Sequence, residues 1–154
     1  MDDLFERLTS SIDLSKTKIY PPPPRIVLCG GKHDVTNGEQ RVSVRDALYR
    51  SAEIKGKGYY EHILLPENIF KFYQSSGYTD LLRFERDLAE LSTLTIVIPE
   101  GPGSIAELGA FSVLNEINKK LVVVVHEDHV EAGSLRFPPK FGPPVKVESA
   151  SLNR

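Results

Sequence analysis

The chain has no tryptophan, one methionine and one cysteine, Cys29, among 154 residues. A lone cysteine cannot close an internal disulfide, so nothing here argues for an oxidising compartment. An excess of one charge is also missing: 19 Lys and Arg stand against 21 Asp and Glu, a formal net charge of -2. That balance gives no whole-chain basic field for a nucleic-acid backbone or an anionic membrane, and direct nucleic-acid binding is not expected. No apolar run reaches the length of a membrane span. The opening MDDLFERL is too acidic, and too short in apolar run, for a signal peptide. A cytoplasmic protein with one hydrophobic core is the expectation, since 40% of the residues are hydrophobic and the length suits a single domain.

What is present alternates. A short helix over 1–15 would gather Leu4, Phe5, Leu8 and Ile12, and the PPPP run at 21–24 reads as an extended lead-in, so 1–24 is set apart from an α/β domain over 25–154. Strands are expected at 26–29, 63–65, 94–98, 121–125 and 145–147. Between them, helices are expected over 40–55, from near Glu67, over 80–92 and over 104–119. In the first long helix Val42, Val44, Ala47, Leu48 and Ala52 are available to a core, and in 80–92 Leu81, Phe84, Leu88 and Leu91 recur at helical spacing. Strands apolar throughout, alternating with helices, imply a doubly wound, mostly parallel sheet of about five strands with helices on both faces. In such sheets ligands bind beyond the carboxyl ends of the strands, here the loops after Cys29, Leu65, Ile98 and Val125.

Two of those loops carry chemistry. Gly101, Pro102 and Gly103 lie between a strand and a helix, where backbone amides and a helix N-terminus can cradle a phosphate; glycines are also simply how a chain turns there. The loop CGGKHD after the first strand repeats the arrangement with Gly30 and Gly31 and adds Lys32 and His33. Ser104 and Glu107 have the S-x-x-E spacing of a capping box, which would make Glu107 a cap. The functional reading is that a carboxylate in the first helical turn stays ionised on the helix dipole and stabilises, or attacks, an oxocarbenium-like sugar as an N-glycosidic bond breaks.

LCGG, Arg45 in the next helix, LLPENIF, DLLRFERDLAE and above all IPEGPGSIAELGAFS resemble the N-terminal domain of bacterial retron effectors of the nucleoside 2-deoxyribosyltransferase-like class. The likeness runs over about residues 25–125, with a fainter echo in FPPKFGPPVKV. It implies a flavodoxin-like (Rossmann-like) fold and N-glycosidase action on NAD or related nucleotides in antiphage defence, with Glu107 at the catalytic position. Members of the class continue into a further C-terminal helical domain that this chain, ending at Arg154, does not include. More distantly, the same loop is similar to the phosphate turn of cytokinin-activating nucleotide phosphoribohydrolases. Deoxyribosyltransferases also tend to carry an Asp just before the third strand, and STLT at 92–95 has none, which leaves the base and sugar open.

Substrate contacts are expected from Cys29, Gly30, Gly31, Arg45, Glu85, Glu100, Gly101, Pro102, Gly103 and Ser104. Each has a plainer alternative. Arg45 can be a surface ion pair, Glu85 part of a solvated helix face together with Asp87, and Cys29 a core residue rather than a nucleophile. HEDH at 126–129 reads as a polar loop rather than a metal site, and Tyr59 and Tyr60 as core, interface or a base-stacking wall. No cofactor or metal is expected. The partners expected are a nucleotide substrate, a second copy of the chain and a defence-system protein. A deoxyribosyltransferase or nucleoside-monophosphate glycosidase of salvage, and a nucleotide-sensing module without turnover, are the alternatives.

Overall fold

β1 (Ile26–Cys29) is apolar at every position, and Val27, Leu28 and Cys29 are each 1% exposed, as a strand covered on both faces must be. The computed structural model describes residues 20–34, 36, 40–55, 57–75, 77–126 and 145–147, with Ser10, Asp13, Lys16 and Lys18 described singly. The expected N-terminal helix, FPPKFGPP and residues 127–129 of HEDH lie outside the described residues. Pro21 to Pro24 are exposed and outside any helix or strand, as a lead-in should be.

After β1 come α1 (Val44–Lys55), α2 (Lys57–Tyr60), β2 (Ile63–Leu64), a 3-10 turn (Pro66–Ile69), α3 (Phe70–Ser75), α4 (Leu81–Leu91) and β3 (Leu94–Val97). The chain continues through α5 (Pro102–Ser112), α6 (Asn115–Asn118) and β4 (Leu121–His126), and β5 (Val145–Val147) follows. Strands β2, β1, β3 and β4 lie side by side in that order, all parallel, and β5 pairs parallel with the outer edge of β4 through Val124↔Val145 and Val125↔Lys146. The doubly wound α/β expectation holds. Among the described residues no helix is long and apolar enough to cross a membrane.

Alternation along β1 divides the core. Val27 and Cys29 pack with Ala89 of α4, Phe111 of α5 and Ile117 of α6 on one face, whereas Leu28 packs with Tyr49 of α1, Leu65 and Ile98 on the other. The connection leaves β1 for β2 on one side and returns past it to β3, so the strand order reverses between β1 and β3. That reversal opens a crevice at their carboxyl ends.

Three expectations need correction. The helix expected over 40–55 begins at Val44, because the Asp46 amide donates to Ser43 Oγ (2.9 Å) and Glu100 takes the amides of Val44 and Arg45. Among its described side chains Arg45, Asp46 and Tyr49 are buried, while Leu48 is 40% exposed and Val42, ahead of the helix, 37% exposed. The helix expected over 104–119 starts at Pro102 and breaks after Ser112, where Leu114 turns extended (φ -95, ψ 113). The Leu114 carbonyl accepts from the amides of Ile117 and Asn118, and this second turn delivers Ile117 fully buried into the core. In α4, capped by Asp80 Oδ1 on the Leu82 amide (2.9 Å), Phe84 and Ala89 are buried and Leu88 packs on the core, whereas Leu81 and Leu91 at the helix ends stay exposed.

Candidate active site

The crevice between β1 and β3 is built from both sides. On the β1 side, a Cβ placed on Gly30 would lie 2.9 Å from Arg45 Cβ and 3.2 Å from Ile98 Cβ, and one on Gly31 would lie 2.8 Å from Ser43 Cβ. The two glycines are therefore required for α1 to approach the strand end. On the β3 side the chain turns sharply, with the Glu100 amide donating to the Ile98 carbonyl (2.8 Å). The Glu100 carboxylate then reaches across and accepts from the amides of Gly31 (3.0 Å), Val44 (2.6 Å) and Arg45 (3.2 Å). It straps the β1 loop and the start of α1 to the β3 loop, and satisfies two of the amides that a helix start leaves free.

Arg45 is 7% exposed. Its guanidinium makes a bidentate pair with Glu67 from the turn after β2, Nη2 to Oε1 at 2.6 Å and Nη1 to Oε2 at 3.1 Å. It is thus a buried charge with a dedicated partner rather than a surface ion pair. From the opposite face of the sheet come Glu107 of α5 and Glu85 of α4. The Cys29 thiol hydrogen-bonds Glu107, and Arg45 and Glu107 flank neighbouring residues, Gly30 and Cys29, at the end of one strand.

The capping reading of Glu107 does not survive. Gly101 is the residue ahead of α5, the Ser104 hydroxyl accepts from the Gly101 amide (3.1 Å) and donates to the Gly101 carbonyl (3.0 Å), and Glu107 lies one turn further in, at the sixth helical position. The idea that the dipole keeps it ionised fails with it: burial pushes its carboxyl above the ordinary range, partly opposed by the Cys29 hydrogen bond and the charge of Arg45. Glu85, half-buried, is pushed up to about 7 by burial and by the negative charges of Glu107, Glu67 and Asp80. It is not a solvated helix residue. Asp87, two positions on, is turned away to accept from Tyr78 (2.8 Å) and Arg86. Burial, and then the charge and hydrogen bond of Glu107, push the Cys29 thiol well up, so it remains a protonated donor and not a nucleophile.

At the start of α5 the first ladder bond runs from the Ile105 amide to the Gly101 carbonyl, so the amides of Gly103 and Ser104 precede the ladder, Pro102 having none. A Cβ on Gly101 or Gly103 would meet nothing within 4 Å. Close backbone packing therefore lies at Gly30 and Gly31, and open space at Gly101 and Gly103. Tyr60 packs against Tyr49 (centroids 5.0 Å), while Tyr59 is 70% exposed. His126 ends β4.

Sequence reasoning misses Glu67, expecting only a helix start there, although the loop after Leu65 is one of those expected to face a ligand. It also misses Asp46, fully buried, which holds His33 Nδ1 at 2.8 Å and accepts from the Val42 amide at 3.2 Å. Among the described residues no group of three or more His, Cys, Asp or Glu is arranged to hold a metal ion.

Residues 41–135, which include Arg45, Glu67, Glu85 and Glu107, match the model of a family described as STM3845 retron effector protein. An Escherichia coli protein named "Retron Ec86 putative ribosyltransferase/DNA-binding protein" is 35% identical over 101 residues, 64% of this chain. The chain spans only 30% of the length of that curated relative. Its name overturns the expectation that nucleic acid plays no part: a formal charge of -2 excludes a whole-chain basic field but not a local set of cations.

Proposed function

Because the chain belongs to the STM3845 retron effector protein family, we propose that it is a defence N-glycosidase that cleaves the base from the ribose of NAD or a related nucleotide, with Glu107 at the anomeric carbon. The observation that carries this reading is the pair of partly buried carboxyls, Glu107 and Glu85, each within electrostatic reach of the other, beside Arg45 at the crevice between β1 and β3. The pair is uneven. Burial raises both carboxyls, but Cys29 and Arg45 oppose it at Glu107 alone, while at Glu85 the charge of Glu107 adds to burial in holding the proton. One ionised and one protonated carboxyl is the distribution that glycosidic cleavage uses.

In the proposed reaction the carbon–nitrogen bond breaks with its electron pair moving to the base nitrogen, and Glu107 stabilises the oxocarbenium-like carbon or bonds to it. A nicotinamide leaves neutral without needing a proton. A neutral purine takes one, which Glu85 supplies. Water then adds at the anomeric carbon, releasing Glu107 from any bond to it, and gives up a proton, to Glu85 where that residue has protonated a purine and to solvent where nicotinamide has left, closing the balance as free base and free sugar hydroxyl. The open space at Gly101 and Gly103, next to amides ahead of the α5 ladder, suits the phosphate of such a nucleotide. A second reading, transfer of the ribosyl group to an acceptor other than water, is favoured by the relative's printed name.

The test incubates the protein and Glu107→Gln with NAD, nicotinamide mononucleotide, nucleosides and deoxynucleosides, with and without DNA, and separates the products. Base release that falls about 1,000-fold or more in the variant supports the reading. Base release undiminished in the variant removes Glu107 from the chemistry, and an adduct in place of free sugar selects the transfer.

A further inference from the structure

Two polar atoms in the crevice are left incomplete. Arg45 Nε and Glu107 Oε2 are both buried and have no hydrogen-bond partner among the described residues. Such atoms are costly unless something completes them. The first is a donor only and the second, when ionised, an acceptor only. The rest of the guanidinium is engaged, both terminal nitrogens of Arg45 being held by Glu67, and the Glu107 carboxyl has the Cys29 thiol as its hydrogen-bond neighbour. Arg45 is 7% exposed, so its Nε is not left to bulk solvent. The stem of Arg45 lies against Gly30, and Glu107 is bonded to the adjoining Cys29, which puts the donor and the acceptor on either side of one strand end.

The smallest group that accepts from one atom and donates to the other is a hydroxyl. From this the geometry points to a hydroxyl subsite, formed by Arg45 Nε and Glu107 Oε2, that reads the sugar hydroxyl adjacent to the anomeric carbon and so selects ribonucleotides over 2′-deoxyribonucleotides. A sugar hydroxyl seated there accepts from one atom and donates to the other. A carboxylate beside an anomeric carbon lies within reach of that hydroxyl, and the bond strengthens as positive charge develops on the sugar. This rests on the glycosidase reading for the placement of the sugar, and it deepens that reading by naming the sugar. The preference would run against intrinsic reactivity, because a 2-deoxy sugar loses its base more easily, so it can arise only from contacts.

The experiment measures binding and turnover separately on the full chain, using NAD and its analogue lacking the 2′-hydroxyl of the nicotinamide ribose, and adenosine with 2′-deoxyadenosine. Calorimetry should give binding of the hydroxylated member of each pair on the order of 100-fold tighter, since losing it leaves two charged groups unpaired. Arg45→Lys, which keeps a charge and removes the Nε–H, should bring the ratio towards one; if that variant does not fold, the ligand pairs on the unaltered protein decide alone. Equal binding within a pair, tighter deoxy binding, or no binding of either member overturns the subsite, whether or not base is released. Hydroxyl-dependent binding without base release keeps the subsite and overturns the glycosidase reading.

Discussion

Replacing Glu85 with Gln should stabilise the protein above neutral pH while slowing release of a purine base, the step to which Glu85 gives its proton. The carboxyl of Glu85, ordinarily at 4.5, is raised to about 7, first by burial and then by the negative charges of Glu107, Glu67 and Asp80. Below the ordinary value both folded and unfolded chains hold the proton. As pH rises towards 7 the unfolded chain has already released it, the folded chain must follow, and the stability that the protonated form contributed is lost. A rise from 4.5 to about 7 corresponds to roughly 3 kcal/mol for a fully shielded group. Glu85 is only half-buried, and solvent screening brings the expected effect to about 1.5 kcal/mol. Gln has no charge to bury, so the variant should recover that amount at about pH 8 and gain little at about pH 5.

For a chain of this size that is a melting-temperature gain of about 3–6 °C at the higher pH. Thermal denaturation followed by circular dichroism at both pH values reads it directly, and adenine release from adenosine at the lower pH, where Glu85 holds its proton, should fall by about 100-fold while nicotinamide release from NAD is little changed. A gain of the same size at both pH values would show that the charge on Glu85 is not what the site strains against. A loss of stability at the higher pH would refute the assignment outright.

Glu107→Gln should leave stability at neutral pH unchanged or slightly raised in the same denaturation experiment, because no cap bond is lost and burial disfavours the charge. Gly30→Ala should destabilise by about 1–3 kcal/mol in urea titration, since the new methyl meets Arg45 Cβ and Ile98 Cβ. Gly103→Ala, early in α5 with open space at its Cβ, should be neutral or gain up to about 1 kcal/mol by the same titration, while weakening nucleotide binding measured by calorimetry. Glu100→Gln should cost about 1–3 kcal/mol, because an amide nitrogen then faces backbone N–H groups that a carboxylate oxygen now accepts.

Most of the sheet was readable because burial on both faces writes itself into the sequence as unbroken apolar runs, IVLC and LVVVV among them. From the residues alone the site was readable where a strand end coincided with glycines, whereas Arg45, Glu85 and the role of Glu107 rested on the family likeness. Apolar periodicity failed in α1, whose inward face at this end of the sheet is Arg45, Asp46 and Tyr49, because polar groups that satisfy one another leave no hydrophobic signal. Glu67 meets Arg45 across 22 residues of chain, a pairing that no local pattern encodes.

Glu107 shows why the two kinds of error belong together. As a cap it would have been solvated, with its charge favoured by the helix dipole, and a spacing rule would have accounted for it. One turn further in, it loses that help and meets burial instead, which works against the charge the chemistry needs. The compensation comes from elsewhere in the fold: the thiol at the end of β1, and an arginine that is itself buried, held from the turn after β2 and admitted only because residue 30 lacks a side chain. A carboxylate placed this way stabilises nothing locally and draws residues from β1, α1 and the turn after β2 to support it. That arrangement is costly for a fold and useful for a reaction that develops positive charge beside it.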